Sequence, residues 1–158
     1  MPTYTLTIPA GLLDPVQKGR VAGVITRTHN VVTGAAAYFA QVIIHEVAEG
    51  NYFAGGKPLL GRQVFLNGQI RAGRSAPDRK RLLLELRDGV ADAGGLERCD
   101  VWVYLTDLPA RDMIEYGHIL PEPGDEASWM EALPEADRAR IKKTGEPLAK
   151  LPQLGRAA

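Results

Sequence analysis

The chain has 158 residues, and its 19 lysines and arginines balance its 19 aspartates and glutamates, so the formal net charge is zero. This length predicts one domain with a sizeable core, and the balanced charge argues against nucleic acid or an acidic membrane as a partner. A single cysteine excludes an internal disulfide framework, and we find neither an apolar run of about 18 residues nor a basic-then-apolar leader, so we expect a cytoplasmic protein without a membrane span or signal peptide.

The chain begins with Met1 and Pro2. We expect Met1 to be removed because the next residue is small, which would give Pro2 a free secondary amine. An α-amino group has a pKa far below that of lysine, so near neutral pH it can act as an acid, a base or a nucleophile. The following residues alternate threonine with Tyr4, Leu6 and Ile8, which predicts a strand with Pro2 on its apolar face. The alternative is an ordinary frayed terminus without a role in catalysis.

A first helix is predicted after this strand. Asp14 and Pro15 suit its N-cap and its first helical position. The apolar stripe at helical spacing comprises Val21, Val24, Ile25 and Thr28. His29 lies at the C-terminal end of that stripe, where it could be either a hydrogen-bonded core residue or a catalytic residue.

The next segment changes from turn to strand. Residues 33–37 are small and predict a turn, and residues 38–47 predict a long strand that is buried on both faces in its middle. His45 and Glu46 do not form a zinc motif, because the second histidine of HExxH is missing, and the scattered histidines of the chain argue against a metal centre. Residues 51–61 are rich in glycine and predict a loop or hairpin.

The strand–helix–strand pattern then restarts. Residues 64–70 predict a strand, and residues 71–74 predict a turn. A second helix is predicted to start at Ser75 and to end at the two glycines at positions 94–95. Its apolar stripe comprises Leu82, Leu83, Leu86 and Val90. Residues 101–106 predict the strand that completes the unit. The two units lie about 60 residues apart and predict an architectural repeat of two βαβ units with right-handed crossovers.

We predict a division of the chain after these units. Residues 1–121 form the βαβ-βαβ domain in this interpretation, and residues 122–158 form a C-terminal extension rich in Pro, Glu and Lys. Within the extension, residues 127–133 and 135–143 could be short helices, and residues 144–158 are predicted to be a mobile tail.

Four further side chains are candidates for chemistry. Arg71 and Arg74 flank a glycine at a strand-to-helix turn, where two guanidinium groups beside a helix N-terminus would bind a carboxylate. The alternative is a pair of solvated surface arginines. Tyr104 and Glu115 could orient or deprotonate water. In the alternative interpretation, Tyr104 is an interface residue and Glu115 is a surface residue, and neither takes part in catalysis.

The combination of these features is more specific than any one of them. An N-terminal proline on a strand, a histidine that ends the first helix, two arginines before the second helix, and a late tyrosine and glutamate resemble the cis-3-chloroacrylic acid dehalogenase family of the tautomerase superfamily. The resemblance covers about residues 2–133. The matching stretches include Ala40-Gln41-Val42, Ala48-Glu49-Gly50-Asn51, Gly73-Arg74-Ser75-Ala76, Val101-Trp102-Val103-Tyr104, Met113-Ile114-Glu115-Tyr116-Gly117, Leu120-Pro121 and Pro123-Gly124.

The resemblance implies a fold, an assembly and a reaction. The fold would be α+β of the tautomerase type, with a four-stranded mixed sheet and two helices on one face. The assembly would be a homotrimer in which the exposed sheet edges are paired between subunits. The reaction would need no cofactor: water adds to a small unsaturated carboxylate such as cis-3-chloroacrylate, and the halohydrin collapses to malonate semialdehyde and chloride.

The resemblance also implies a role for each candidate residue. Pro2 would donate a proton to C2 of the substrate, and Arg71 and Arg74 would hold its carboxylate. His29 would help to bind or polarise that carboxylate. Glu115 and Tyr104 would activate the water that attacks C3.

One loop departs from the family pattern. Residues 34–39 read Gly-Ala-Ala-Ala-Tyr-Phe, where the efficient dehalogenase has more polar residues, including a threonine at the position of Ala35. Fewer hydrogen-bonding groups should place the substrate less firmly, so we expect a weak or promiscuous dehalogenase. Two other functions stay open: keto–enol tautomerisation of a 2-oxo acid such as phenylpyruvate with Pro2 as base, and a non-catalytic trimeric binding protein.

Overall fold

The computed structural model describes residues 2–59 and 61–145. Four strands form the main sheet, namely β1 (Thr3–Pro9), β2 (Gln41–Val47), β5 (Val64–Arg71) and β6 (Val101–Leu108). The helices are α1 (Pro15–Thr33), α2 (Ala76–Gly94), α3 (Glu126–Ala132) and α4 (Glu135–Gly145). Two small hairpins are made by β3 (Phe53–Ala54) with β4 (Lys57–Pro58) and by β7 (Ile114–Glu115) with β8 (His118–Ile119).

The strand pairing confirms the predicted repeat of two βαβ units. The sheet order is β2-β1-β5-β6, and β1 pairs in parallel with β2 as β5 does with β6. The two central strands are antiparallel, with Thr3 opposite Gln69. The sheet is therefore mixed, and the starts of β1 and β2 lie beside the ends of β5 and β6. Because each helix returns the chain along the sheet, α1 ends and α2 begins at this same edge.

The core lies between the sheet and the two long helices. Tyr4, Leu6 and Ile8 of β1 are all 0% exposed, which confirms the predicted inward face of the first strand. Pro2 is also buried, as the period of two requires. Apolar side chains from α1, α2, β5 and β6 complete the core: Val21, Ile25, Val64, Leu66, Ile70, Leu82, Leu86, Val90 and Val101.

Local capping explains where α1 begins and ends. The Asp14 carboxylate accepts a hydrogen bond from the Gln17 backbone N–H at 2.7 Å, and the Gln17 side chain accepts one from the Asp14 N–H at 2.9 Å. This reciprocal pair satisfies two N–H groups that the helix leaves without partners. Gly34 ends the helix with φ 71°, a left-handed conformation that glycine adopts without strain.

The second strand differs from its prediction. Residues 37–39 form a 3-10 turn rather than strand, and β2 begins only at Gln41. Val42 and Ile44 pack against the core, whereas Ile43 is 37% exposed, so the prediction of burial on both faces is wrong. The physical reason is that β2 is an edge strand and the helices cover only one face of the sheet.

The C-terminal extension packs on the β7–β8 hairpin. His118 Nε2 lies 2.9 Å from Asp137 Oδ2, and the Trp129 indole donates to the Ile119 carbonyl at 2.9 Å. The two short helices fall where the sequence predicts them, with shifts of one or two residues at their ends. The domain division at residue 121 stays a prediction, and from residue 146 onward the predicted tail lies outside the described residues. No described helix is long and apolar enough to cross a membrane.

Candidate active site

The sheet edge where β1 begins brings together residues that are far apart in the sequence. Pro2 lies at the start of β1, and its carbonyl accepts a hydrogen bond from the Gln41 backbone N–H at 3.0 Å. The adjacent end of β5 carries Arg71, and the ends of α1 and β6 supply the other walls of this region. The register of the sheet, rather than proximity in sequence, therefore creates the candidate site.

His29 is an enclosed, neutral imidazole near the end of α1. It is 3% exposed, and its Nδ1 lies 2.8 Å from the Tyr4 hydroxyl. Burial lowers its pKa to about 3, and the positive charges of Arg74, the chain's amino terminus and Arg71 act in the same direction. Burial also raises the pKa of Tyr4, so its hydroxyl keeps a proton to donate. In the tautomer where Nδ1 accepts that proton, Nε2 carries an N–H that a substrate carboxylate could accept.

Arg71 is a buried cation at the end of β5. It is 4% exposed, its Nη1 donates to the Pro121 carbonyl at 2.6 Å, and its Nη2 forms an ion pair with Glu126. Its Nε is buried and has no hydrogen-bond partner among residues 2–59 and 61–145. A buried donor without a partner is costly, so this atom adds to the cost of enclosing the Arg71 guanidinium.

Arg74 lies on the opposite side of the turn from Arg71. Its Nη1 donates to the Thr33 carbonyl at 2.8 Å, which ties the start of α2 to the end of α1. Burial lowers the pKa of this guanidinium, as does the charge of Arg71, while Glu126 and Asp78 oppose the shift. The two arginines line a cavity of about 350 Å³, which we call the arginine cavity, together with Thr33, Phe39 and Glu126. Two guanidinium groups on one cavity provide donors for an anion.

Glu115 lies on the β7–β8 hairpin, where the turn fixes its position. Tyr116 and Gly117 both have positive φ, at 53° and 86°, as a two-residue type I′ turn requires, and Glu115 pairs with His118. Burial raises the pKa of the Glu115 carboxyl, while the positive charges of the amino terminus and Arg71 lower it. A carboxylate with a raised pKa is a better general base near neutral pH.

A second cavity contains Glu115. Its volume is about 630 Å³, and its polar lining includes Thr3, Gln41 and Asp112 beside Glu115. Phe39 lines both this cavity and the arginine cavity, so the two cavities share one wall residue. The 3-10 turn at 37–39 therefore borders both the region suited to water activation and the region suited to anion binding.

Tyr104 occupies a different part of the chain from the other candidates. It pairs with Asn67 in the interior of the β5–β6 ladder and packs edge-on against Phe65, with ring centroids 5.0 Å apart. Its side chain is 59% exposed on the sheet face that the helices leave open. One chain thus brings Pro2, His29, Arg71, Arg74 and Glu115 to the same edge but leaves Tyr104 on the open face.

Sequence reasoning missed Glu126 as a residue of this region. It lies 55 positions after Arg71, in a polar segment that resembles an ordinary solvated stretch. The short Pro-x-Pro-Gly sequence before it is the signal that could have indicated an ordered loop. Among residues 2–59 and 61–145, no three His, Cys, Asp or Glu side chains are grouped so that they could hold a metal ion.

Comparison with known proteins gives structural relatives. No protein-family model matches the chain, and none of the curated proteins does. One relative is N1, a member of the cis-3-chloroacrylic acid dehalogenase family, whose crystal structure superposes with a TM-score of 0.86. The sequence of N1 is 33% identical to this chain, and the match covers 89% of this chain and 99% of N1. Native Ps01740 is 30% identical, with a TM-score of 0.67 and coverage of 72% of this chain and 99% of that chain. A symmetric trimer of fused 4-OT shares the fold at 23% identity, with a TM-score of 0.69 and coverage of 75% of this chain and 94% of that chain.

Proposed function

We propose that this chain, which belongs to the cis-3-chloroacrylic acid dehalogenase family, adds water to a 3-substituted unsaturated carboxylate without a cofactor. For a 3-haloacrylate the products would be malonate semialdehyde and halide. The observation that carries the proposal is the arginine cavity, where buried Arg71 and partly buried Arg74 lie at the sheet edge where β1 begins. Glu115 supports it, because the positive charge of Arg71 acts on the pKa of its carboxyl, which burial raises and this charge lowers.

Substrate binding follows from the cations. The carboxylate of the substrate would accept hydrogen bonds from Arg71 and Arg74, and the Nε2–H of neutral His29 would add a donor. These contacts draw electron density from the conjugated double bond, so C3 becomes more electrophilic. A neutral histidine suits this role because it donates a hydrogen bond without adding another positive charge near the amine of Pro2.

Proton transfer would use two groups of the site, the Glu115 carboxylate and the Pro2 amine. Glu115 accepts a proton from water as the water oxygen bonds to C3, and protonated Pro2 donates a proton to C2. The resulting carbon holds both a hydroxyl and the halogen. Loss of the hydroxyl proton and departure of the halide, with its bonding electron pair, then give the aldehyde. This sequence requires Met1 to be removed, since only then does Pro2 carry the amine.

We also propose that the active form is a homotrimer. The open sheet face exposes Ile43, Trp102 and Tyr104, a combination of apolar side chains that favours contact with another subunit. Fused 4-OT, which shares the fold, forms a symmetric trimer. In such an assembly Tyr104 would act beside Glu115 of a neighbouring subunit. Mixed trimers of Tyr104→Phe and Pro2→Ala subunits should then regain activity, and the absence of any recovery would count against this arrangement.

A second candidate function is keto–enol tautomerisation of a 2-oxo acid, with Pro2 as the base. The same positive charges of Arg74 and Arg71 that lower the pKa of His29 would lower the pKa of a nearby amine, whereas Glu115 would raise it. An amine pKa well below 7 would leave Pro2 unprotonated at neutral pH and favour the tautomerase. An NMR titration of the Pro2 amine separates these two mechanisms.

The loop at 34–39 supports weak or promiscuous dehalogenation. Asn30 Nδ2 donates to the Ala35 carbonyl at 2.6 Å, so the loop is tied down through its backbone. Gly34 and Ala36 line the arginine cavity but offer no polar side-chain atoms to a substrate. A substrate would be oriented mainly by the arginines, and small errors in orientation lower the rate strongly.

The decisive test is a product assay with cis- and trans-3-chloroacrylate, acetylene carboxylate and phenylenolpyruvate. Malonate semialdehyde from the first three substrates supports hydration, and phenylpyruvate from the last supports tautomerisation. Intact-mass measurement of the active preparation should show loss of Met1. If Met1 is retained, or if Pro2→Ala and Arg71→Ala leave every activity intact, both mechanisms are wrong.

A further inference from the structure

The segment after the β7–β8 hairpin places a carboxylate directly on the arginine pair. Glu126, at the start of α3, forms an ion pair with Arg71 Nη2, and its other oxygen accepts from the Gly124 N–H at 2.9 Å. Gly124 has φ 103°, a conformation that side chains rarely adopt, so this loop shape favours glycine. The carboxylate is therefore held on both of its oxygens against the cavity wall.

The charges that line the arginine cavity can be counted. Among the described residues, its ionisable side chains are Arg71, Arg74 and Glu126, which gives two positive charges and one negative charge. His29 is neutral near pH 7 because its pKa is lowered to about 3. Asp78 influences Arg74 but lies outside the lining, where its carboxylate accepts from the Ser75 hydroxyl at 2.6 Å. The lining thus has one net positive charge.

We propose that Glu126 is a specificity-determining residue that matches the arginine cavity to a ligand with a single carboxylate. Its negative charge neutralises half of the arginine pair, so a dicarboxylate would bring one uncompensated negative charge into the cavity. The Arg74 guanidinium has five N–H donors, and the hydrogen bond from its Nη1 to the Thr33 carbonyl uses one of them, so the cavity keeps donors for one carboxylate. The inference rests on the proposed function, in which the arginines bind the substrate carboxylate.

Glu126 could oppose ligand binding in two ways, through the field of its charge or by competing with the ligand for Arg71, and the two ways predict different dissociation constants. If Glu126 acts through its field, its removal strengthens binding of a dianion twice as much, in free energy, as binding of a monoanion. If Glu126 merely occupies Arg71 and must be displaced, its removal strengthens both ligands by the same factor. The ratio of the two dissociation constants therefore separates the mechanisms.

The experiment compares propionate with malonate, which share a three-carbon skeleton, in NMR titrations at about pH 8, where malonate carries two charges. Glu126→Gln removes the charge and Glu126→Asp keeps it. Glu131→Gln is the matched control, because Glu131 lies exposed on the same helix. For Glu126→Gln we expect affinity to rise about fivefold for propionate and about 25-fold for malonate. Glu126→Asp and Glu131→Gln should keep the wild-type ratio of the malonate and propionate dissociation constants.

Two results would overturn the role of Glu126 alone. One is an unchanged malonate-to-propionate ratio in folded Glu126→Gln, and the other is a strong preference of the wild type for malonate, which needs no variant to measure. A different result would reject the proposed anion site itself: propionate binding that is unaffected by Arg74→Gln. In that case the role of Glu126 falls together with the site.

Discussion

The two ends of the sheet carry the same kind of contact with different chemistry. At the end where β1 begins, Arg74 donates to the Thr33 carbonyl at the end of α1, at 2.8 Å. At the opposite end, Gln17 donates to the Gly94 carbonyl at the end of α2, at 3.3 Å. Each contact ties the N-terminal end of one helix, or the residue just before its N-cap, to the last turn of the other, as expected from the repeat of two βαβ units. The scaffold needs only a donor there, and one end supplies it with a charged guanidinium.

The environments of the polar side chains separate the two ends further. Glu46, near the opposite end, is exposed, accepts from the Gly11 N–H at 3.0 Å and pairs with Lys18 at 3.0 Å. At the candidate site, His29 and Arg71 are only 3% and 4% exposed. Burying a charged group costs free energy unless the surroundings compensate it, so buried polar groups are concentrated where they serve a purpose beyond folding. Substitutions at the two ends should therefore affect different properties.

The largest effect is expected for Arg71→Ala. It removes the buried guanidinium and should lower kcat/KM by about 10³-fold, since a charge-assisted contact to the reacting molecule is lost in a dry environment. Steady-state kinetics on the best substrate measure this. Arg81→Ala is the control, because Arg81 is exposed on α2 and pairs with Glu85 at 2.7 Å. Equal losses for the two variants would show that positive charge in general, rather than this site, supports activity.

Glu115→Gln should have the next largest effect. It removes the proposed base and should lower kcat by about 10²-fold. Because burial raises the pKa of Glu115, the acidic limb of the wild-type pH profile should lie above the ordinary range of a glutamate. Activity is expected to fall as the pH drops through that raised pKa, since the base becomes protonated. An acidic limb that persists in Glu115→Gln would assign it to another group.

Sequence patterns predicted the scaffold well because its determinants are local. The alternation around Tyr4, the Asp14 cap and the two glycines that end α2 each act within a few residues, and each lies where it was predicted. The exposure of β2 was predicted wrongly, because a run of apolar residues does not reveal whether helices cover one face or both. Glu126 was missed for a related reason, since its contact with Arg71 spans 55 residues.

His29 makes a prediction about stability in acid. Its pKa is lowered from 6.5 to about 3 in the folded chain, so between these values the unfolded chain binds a proton that the folded chain does not. The free energy of unfolding should therefore fall with decreasing pH over this window, by up to about 1.4 kcal/mol per pH unit from this group. Urea denaturation of the wild type and of His29→Gln measures the difference. An equal slope in both proteins would mean that the carboxylates alone cause the loss.

The smallest effect is expected at the opposite end of the sheet. Asp14→Ala removes the capping box of α1 and should lower the free energy of unfolding by about 1 kcal/mol. The value of kcat/KM should stay unchanged, because α1 spans the length of the sheet and Asp14 lies at the end away from the arginine cavity. Thermal unfolding and kinetics on the same preparation test both statements. If activity fell in proportion to stability, the two ends would be coupled, and the separation between a structural end and a chemical end would not hold.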